Sequence, residues 1–122
     1  MQKILVIDDN VVVRNTIVQL LEGEGYHVLS AEDGKQGLNV FHNERPDLII
    51  TDLIMPEKEG IETIRDIRDA CPDAKIIAIS GGGRNGTKDY LRIARQLGAS
   101  EVIAKPLDPD HFINIVRERL AA

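Results

Sequence analysis

Five short apolar runs punctuate the chain, and four of them stop at residues able to do chemistry. Ile4-Leu5-Val6-Ile7 runs into Asp8-Asp9, Leu48-Ile49-Ile50-Thr51 into Asp52, Ile76-Ile77-Ala78-Ile79 into Ser80, and Val102-Ile103-Ala104 into Lys105-Pro106. Runs this short and this uniformly apolar suit a parallel sheet covered on both faces, whose inner strands meet no water on either side. The second run, Tyr26-His27-Val28-Leu29-Ser30, is more mixed and reads as an edge strand.

Between the runs the apolar period lengthens to that of a helix. Val13, Ile17, Leu20 and Leu21 share one face before Gly23 and Gly25 stop the segment. Asp33 is placed to cap a second helix through Leu38 and Phe41, with Pro46 closing the loop behind it. Ile61, Ile64 and Ile67 follow Gly60 in a third, and Leu91, Ala94 and Leu97 precede Gly98 in a fourth. Asp108 and Pro109 open a fifth, which is expected to bury Phe112, Ile113, Val116 and Leu120. Strand followed by helix, five times over, predicts an α/β domain: a doubly wound five-stranded parallel sheet in the order 2-1-3-4-5, flanked by five helices. One such domain, residues 1–122, is expected to account for the 122 residues.

Composition narrows the partners. With 15 basic and 20 acidic residues the net charge is −5, and no basic stripe interleaved with aromatics offsets it, so direct binding to nucleic acid is not expected. No apolar run approaches the ~20 residues that span a bilayer, and a soluble cytoplasmic protein without membrane insertion is expected. Cys71 has no second cysteine to pair with, and His27, His42 and His111 lie too far apart for a local zinc motif.

In a 2-1-3-4-5 sheet, ligands gather at the carboxyl ends of strands one and three. That edge would bring together Asp8, Asp9 and Asp52, with Ser80 and Lys105 on the adjoining strands. Three carboxylates that close repel one another unless a cation, most simply Mg²⁺, sits among them. Each residue alone has a plainer reading: Asp9 as a helix cap, Ser80 as a turn residue, Lys105 as a solvated charge. Their convergence is what points to a metal site beside a reactive carboxylate.

Ile7-Asp8-Asp9, Thr51-Asp52-Leu53-Ile54-Met55-Pro56 followed by Gly60, Ile79-Ser80-Gly81 and Ala104-Lys105-Pro106 stand in this order, each at a strand end. Together they resemble the receiver domains of two-component response regulators, a flavodoxin-like family typified by the chemotaxis regulator. The resemblance covers essentially the whole chain. It implies that Asp52 accepts a phosphoryl group from a histidine of a sensor kinase or phosphotransfer protein, and that the chain catalyses only its own phosphorylation and dephosphorylation. Asp9, Asp52 and the backbone carbonyl of Ile54 are implied as direct ligands of Mg²⁺ or Mn²⁺, with Asp8 acting through water. Lys105 and Ser80 are implied as donors to the phosphoryl oxygens, Gly81 as room for backbone N–H contacts, and Pro106 as following a cis peptide bond that aims Lys105. An unknown downstream protein is the implied listener, to a monomer or a phosphorylation-dependent dimer.

Other features qualify that picture. Gly81-Gly82-Gly83-Arg84-Asn85-Gly86 satisfies G-x-G-x-x-G but follows strand four rather than strand one, so it reads as a flexible loop beside the site. Val102 stands where many receivers carry an aromatic switch residue, which shifts attention to Ser80, the glycine loop, the last two helices and Tyr90. Ile54 and Gly82 stand at the two positions that, in the family resembled, influence how water reaches the acyl phosphate, and since neither offers an acid, base or amide, slow self-dephosphorylation is expected. Val11, Val12 and Val13 cannot all face inward on one helix, which leaves Val11 or Val12 partly exposed; the resemblance, in which the kinase docks along the first helix, makes these a candidate kinase contact. The rival readings are a phosphorylation-independent adaptor, an aspartate-nucleophile phosphatase, which wants D-x-D on strand one where this chain has adjacent acids, and a flavin carrier, whose phosphate the acidic turn would repel.

Overall fold

The computed structural model describes residues 2–53, 60–80, 92, 95, 96, 98–104 and 107–121. Five strands, β1 (Lys3–Ile7), β2 (His27–Ala31), β3 (Leu48–Asp52), β4 (Ile76–Ser80) and β5 (Glu101–Ala104), form one sheet in the order β2-β1-β3-β4-β5. Every pairing is parallel. The predicted order is therefore the observed one. The most apolar runs became the inner strands, with β3 and β4 buried along their whole length, while β2 stands at an edge with mixed exposure.

Four helices are described: α1 (Val11–Gly23), α2 (Gly34–Glu44), α3 (Gly60–Ala70) and α4 (Pro109–Ala121). The expected helix through Leu91, Ala94 and Leu97 falls largely outside the described residues, of which Arg92, Arg95 and Gln96 are helical. Helix ends follow local chemistry. The Asp33 carboxylate accepts from the Gln36 N–H at 2.8 Å, and the Gln36 side chain accepts in turn from the Glu32 N–H at 2.7 Å, a reciprocal cap. Arg45, at φ 47°, ends α2 in the left-handed region with its guanidinium carbon 5.0 Å from the centre of the Phe41 ring.

Alternation along the strands splits the core into two layers. Ile4, Val6, Leu48, Ile50, Ile77, Ile79 and Ile103 pack with Ile17 and Leu21 of α1 and with Phe112, Ile113, Ile115, Val116 and Leu120 of α4. Leu5, Ile7, Ile49, Ile76 and Ala78 pack on the other face with Phe41 of α2 and Ile64 and Ile67 of α3. The predicted stripe of the last helix was short by one residue, since Ile115 is buried as well. Val102 is partly buried in the second layer. Among the described residues, no helix is long and apolar enough to cross a membrane.

Candidate metal and phosphoryl-transfer site

Parallel register carries the strand ends to one edge. Ile7 pairs with Thr51, Asp52 with Ile79, and Ser80 with Ala104, so the residues that follow β1, end β3 and end β4 become neighbours. Asp8, Asp9 and Asp52 each present a carboxylate oxygen, and the three oxygens lie within 4.8 Å of one another. Asp8 and Asp52 are buried, at 1% and 7% exposure, whereas Asp9 is exposed.

Local hydrogen bonds aim the two buried acids. One Asp52 oxygen accepts from the Leu53 N–H at 2.9 Å, and that same N–H also reaches the Ile79 carbonyl at 3.0 Å. The Thr51 hydroxyl donates to the Asp52 carbonyl at 3.0 Å. Asp8 Oδ1 accepts from the Asn10 N–H at 2.9 Å. Asp9 accepts no hydrogen bond from the described residues, which leaves its oxygens available to a ligand.

Gly60 opens α3 in a place where only glycine fits. Its N–H donates to the Leu53 carbonyl at 2.9 Å, and a methyl group there would stand 1.8 Å from the Asp52 carbonyl oxygen and 2.7 Å from the Leu53 Cα. The close approach ties the start of α3 to the backbone that carries Asp52.

Two like charges 4.8 Å apart repel by roughly 3 kcal/mol at an effective dielectric constant of about 20. Burial of two of the three acids denies them full hydration, so a divalent cation is the economical neutraliser. The donor set, all oxygen, is the hard set that Mg²⁺ and Mn²⁺ take. Opposite oxygens of octahedral Mg²⁺ are about 4.2 Å apart, twice the Mg–O distance. Carboxylate oxygens that all lie within 4.8 Å of one another are gathered on that scale. The residues present therefore fit such an ion.

On the far side of Asp52, the Ser80 hydroxyl is 1% exposed and has no hydrogen-bond partner among the described residues. Ala104 lies beside it in register. Lys105, Pro106 with its expected cis bond, the Ile54 carbonyl, Gly81, Gly82, the rest of the glycine loop and Tyr90 all lie outside the described residues.

Three features escaped the reading of the sequence. The cap of α1 is Asn10, whose side-chain oxygen accepts from the N–H groups of Val12 and Val13 at 2.9 and 3.1 Å, so Asp9 is no helix cap. An Asn directly before the apolar period was the available signal. The second is Arg14, whose Nη1 donates to the Asp8 carbonyl at 2.7 Å. A cation at the start of a helix is unfavourable without a specific partner, and that oddity could have marked it. The third is the steric need for Gly60, visible only once α3 and β3 are placed. Val11 and Val12 are both exposed, at 54% and 69%, where only one exposed valine was required.

Comparison with known proteins agrees with this geometry. Residues 4–117 match the family model described as the response regulator receiver domain. The chain is 31% identical to the chemotaxis protein CheY of Bacillus subtilis over 119 residues, covering 97% of each. It is 30% identical to the sporulation initiation phosphotransferase F of the same organism, covering 98% of this chain and 94% of that one. Other relatives are longer: the chain spans 17% of the CAI-1 autoinducer sensor kinase/phosphatase CqsS of Vibrio cholerae, at 35% identity over 94% of this chain. Among solved structures, a receiver domain protein from Clostridium thermocellum superposes with a TM-score of 0.91 at 31% identity, covering 99% of this chain and 95% of that chain. With the sheet order, the acidic cluster and these likenesses in agreement, the chain belongs to the receiver domain family of two-component response regulators.

Proposed function

We propose that residues 1–122 act as one phosphorylation-dependent signalling switch, with Asp52 as the phosphoacceptor. The observation that carries this reading is the convergence of the Asp8, Asp9 and Asp52 carboxylates within 4.8 Å, at the strand edge where Ser80 also ends. An Asp52 oxygen attacks phosphorus in line, the bond from phosphorus to the donor histidine nitrogen breaks, and an acyl phosphate forms with the imidazole as leaving group. The Leu53 N–H on Asp52 Oδ1 fixes one oxygen and so orients the other for attack. Ser80 and Lys105 donate to the equatorial oxygens of the transferring group. Mg²⁺ or Mn²⁺, held by Asp9, Asp52 and the Ile54 carbonyl with Asp8 behind a water, supplies charge neutralisation when bound.

The donor is a sensor histidine kinase or phosphotransfer protein, and the exposed Val11 and Val12 beside the crevice are its contact. The phosphorylated form changes its surface toward an unknown downstream protein, as a monomer or a dimer, in the cytoplasm. Val102, partly buried against the second core layer, lacks the hydroxyl of an aromatic switch residue, so the response runs through Ser80 and the glycine loop. The acyl phosphate decays slowly, for want of a water-orienting side chain at Ile54 or Gly82.

Incubation with acetyl phosphate and Mg²⁺, read by intact-mass spectrometry, tests the core of this. One phosphoryl group is expected on the wild type and none on Asp52→Ala or with excess EDTA. An unmodified wild type would instead favour the adaptor reading.

A further inference from the structure

We propose that Arg14 is a positioning residue for the acidic cluster: by holding the backbone of the β1–α1 turn, it keeps Asp8 and Asp9 converged for a divalent cation. The inference rests on the metal reading above. Arg14 lies in the first turns of α1, behind the Asn10 cap, where the exposed N–H groups of the helix disfavour a cation. Its guanidinium folds back across the turn, and Nη1 donates to the Asp8 carbonyl at 2.7 Å in partly buried surroundings. The Asp8 N–H meanwhile donates to the Ala31 carbonyl at 3.2 Å, and Asp8 Oδ1 accepts from the Asn10 N–H at 2.9 Å. Asp8 is thus gripped by the end of β2, by the capping residue and by α1.

Asp9 follows next in the chain and makes no hydrogen bond of its own to the described residues. The direction of its carboxylate therefore depends on the backbone of this turn, and Arg14 is one of the three groups that hold that backbone. The guanidinium acts on a main-chain carbonyl, so its contribution is orientation. Its charge has the opposite effect, since a positive group beside the cluster repels an arriving cation. The two contributions differ in sign, and a single measurement separates them. Arg14 also borders a polar recess of about 220 Å³ shared with Ser30, Ala31, Glu32 and Gln36, so methionine or lysine fits there without disturbing the core.

The experiment measures Mg²⁺ affinity by titration calorimetry, and thermal unfolding in EDTA, for the wild type, Arg14→Met, Arg14→Lys and Asp9→Asn. Positioning predicts that Arg14→Met weakens Mg²⁺ binding roughly tenfold, the usual effect of losing support behind a metal ligand. Arg14→Lys, which retains one donor for the carbonyl, recovers most of that loss. Tighter binding by Arg14→Met would mean that charge dominates and would overturn the proposal, as would unchanged affinity with lowered unfolding temperature in EDTA, the mark of a merely structural contact. Absence of saturable Mg²⁺ binding by the wild type would overturn the metal reading and this inference with it. Wild-type binding that Asp9→Asn abolishes and Arg14→Met leaves intact would overturn this inference alone.

Discussion

On the β1–β3 side of the crevice the buried polar groups are held by their neighbours, whereas on the β4 side the Ser80 hydroxyl is buried without a partner among the described residues. The two buried acids are fixed before anything binds. The hydroxyl is withdrawn from solvent with no hydrogen bond to the described residues made in return, so it is still open to an arriving group. On the function proposed above, a site divided this way would hold a cation with little rearrangement and engage its other side only when a phosphoryl group arrives. Three perturbations break or sharpen the contrast.

The largest effect is expected from Gly60→Ala. The added methyl would meet the Asp52 carbonyl oxygen at 1.8 Å, and neither that backbone nor the start of α3 can yield without moving the other. Destabilisation of about 3 kcal/mol, measured by urea unfolding, is expected at the upper end of overpacking costs. Gly37→Ala is the control. Its methyl would meet the Ile7 Cδ1 at 2.4 Å and Cγ1 at 2.9 Å, so a buried side chain must shift but no backbone stands in the way, and alanine recovers about 1 kcal/mol of helix propensity. A loss at Gly37 equal to that at Gly60 would show that the Asp52 side is no more rigid than the rest of the core.

Asp9→Asn should act in opposite directions with and without metal. Because Asp9 is exposed and its repulsions are screened by solvent, removing its charge is expected to stabilise the metal-free protein by only about 1 kcal/mol. Wild type at ten times its Mg²⁺ dissociation constant gains about 1.4 kcal/mol by mass action, a gain the variant largely forgoes. The order of the two melting temperatures should therefore reverse between EDTA and Mg²⁺. An order that stays the same in both buffers would mean that the cluster is not organised around a cation.

The sequence carried the sheet order because β1, β3 and β4 are nearly all apolar, and a strand buried on both faces leaves little choice of place. It carried the acids for the same reason: a parallel strand that ends in Asp delivers that Asp to the common edge. The supporting contacts were harder to read. Arg14 reaches a carbonyl six positions back, and Gly60 is required by the backbone of β3, so both depend on how helices settle against the sheet. The cap at Asn10 went unread, and the plainer reading of Asp9 as a cap stood open, because both are good capping types and the turn held by Asp8 decides between them.

Ser80→Ala should change the resting stability least of all. A buried hydroxyl with no partner contributes no hydrogen bond, and alanine removes the polar atom while keeping the β-carbon that fills the space. The change should lie within about 0.5 kcal/mol of wild type, whereas Thr51→Val, which deletes the hydroxyl bonded to the Asp52 carbonyl, should cost about 1 kcal/mol. Phosphorylation by acetyl phosphate separates the pair in the opposite sense, with Ser80→Ala at least about tenfold slower for loss of a donor to the transferring oxygens. A Ser80→Ala protein destabilised by 2 kcal/mol or so would mean that the hydroxyl is already satisfied at rest. The β4 side would then be as fixed as the acid side, and phosphorylation would have to draw its response from elsewhere in the fold.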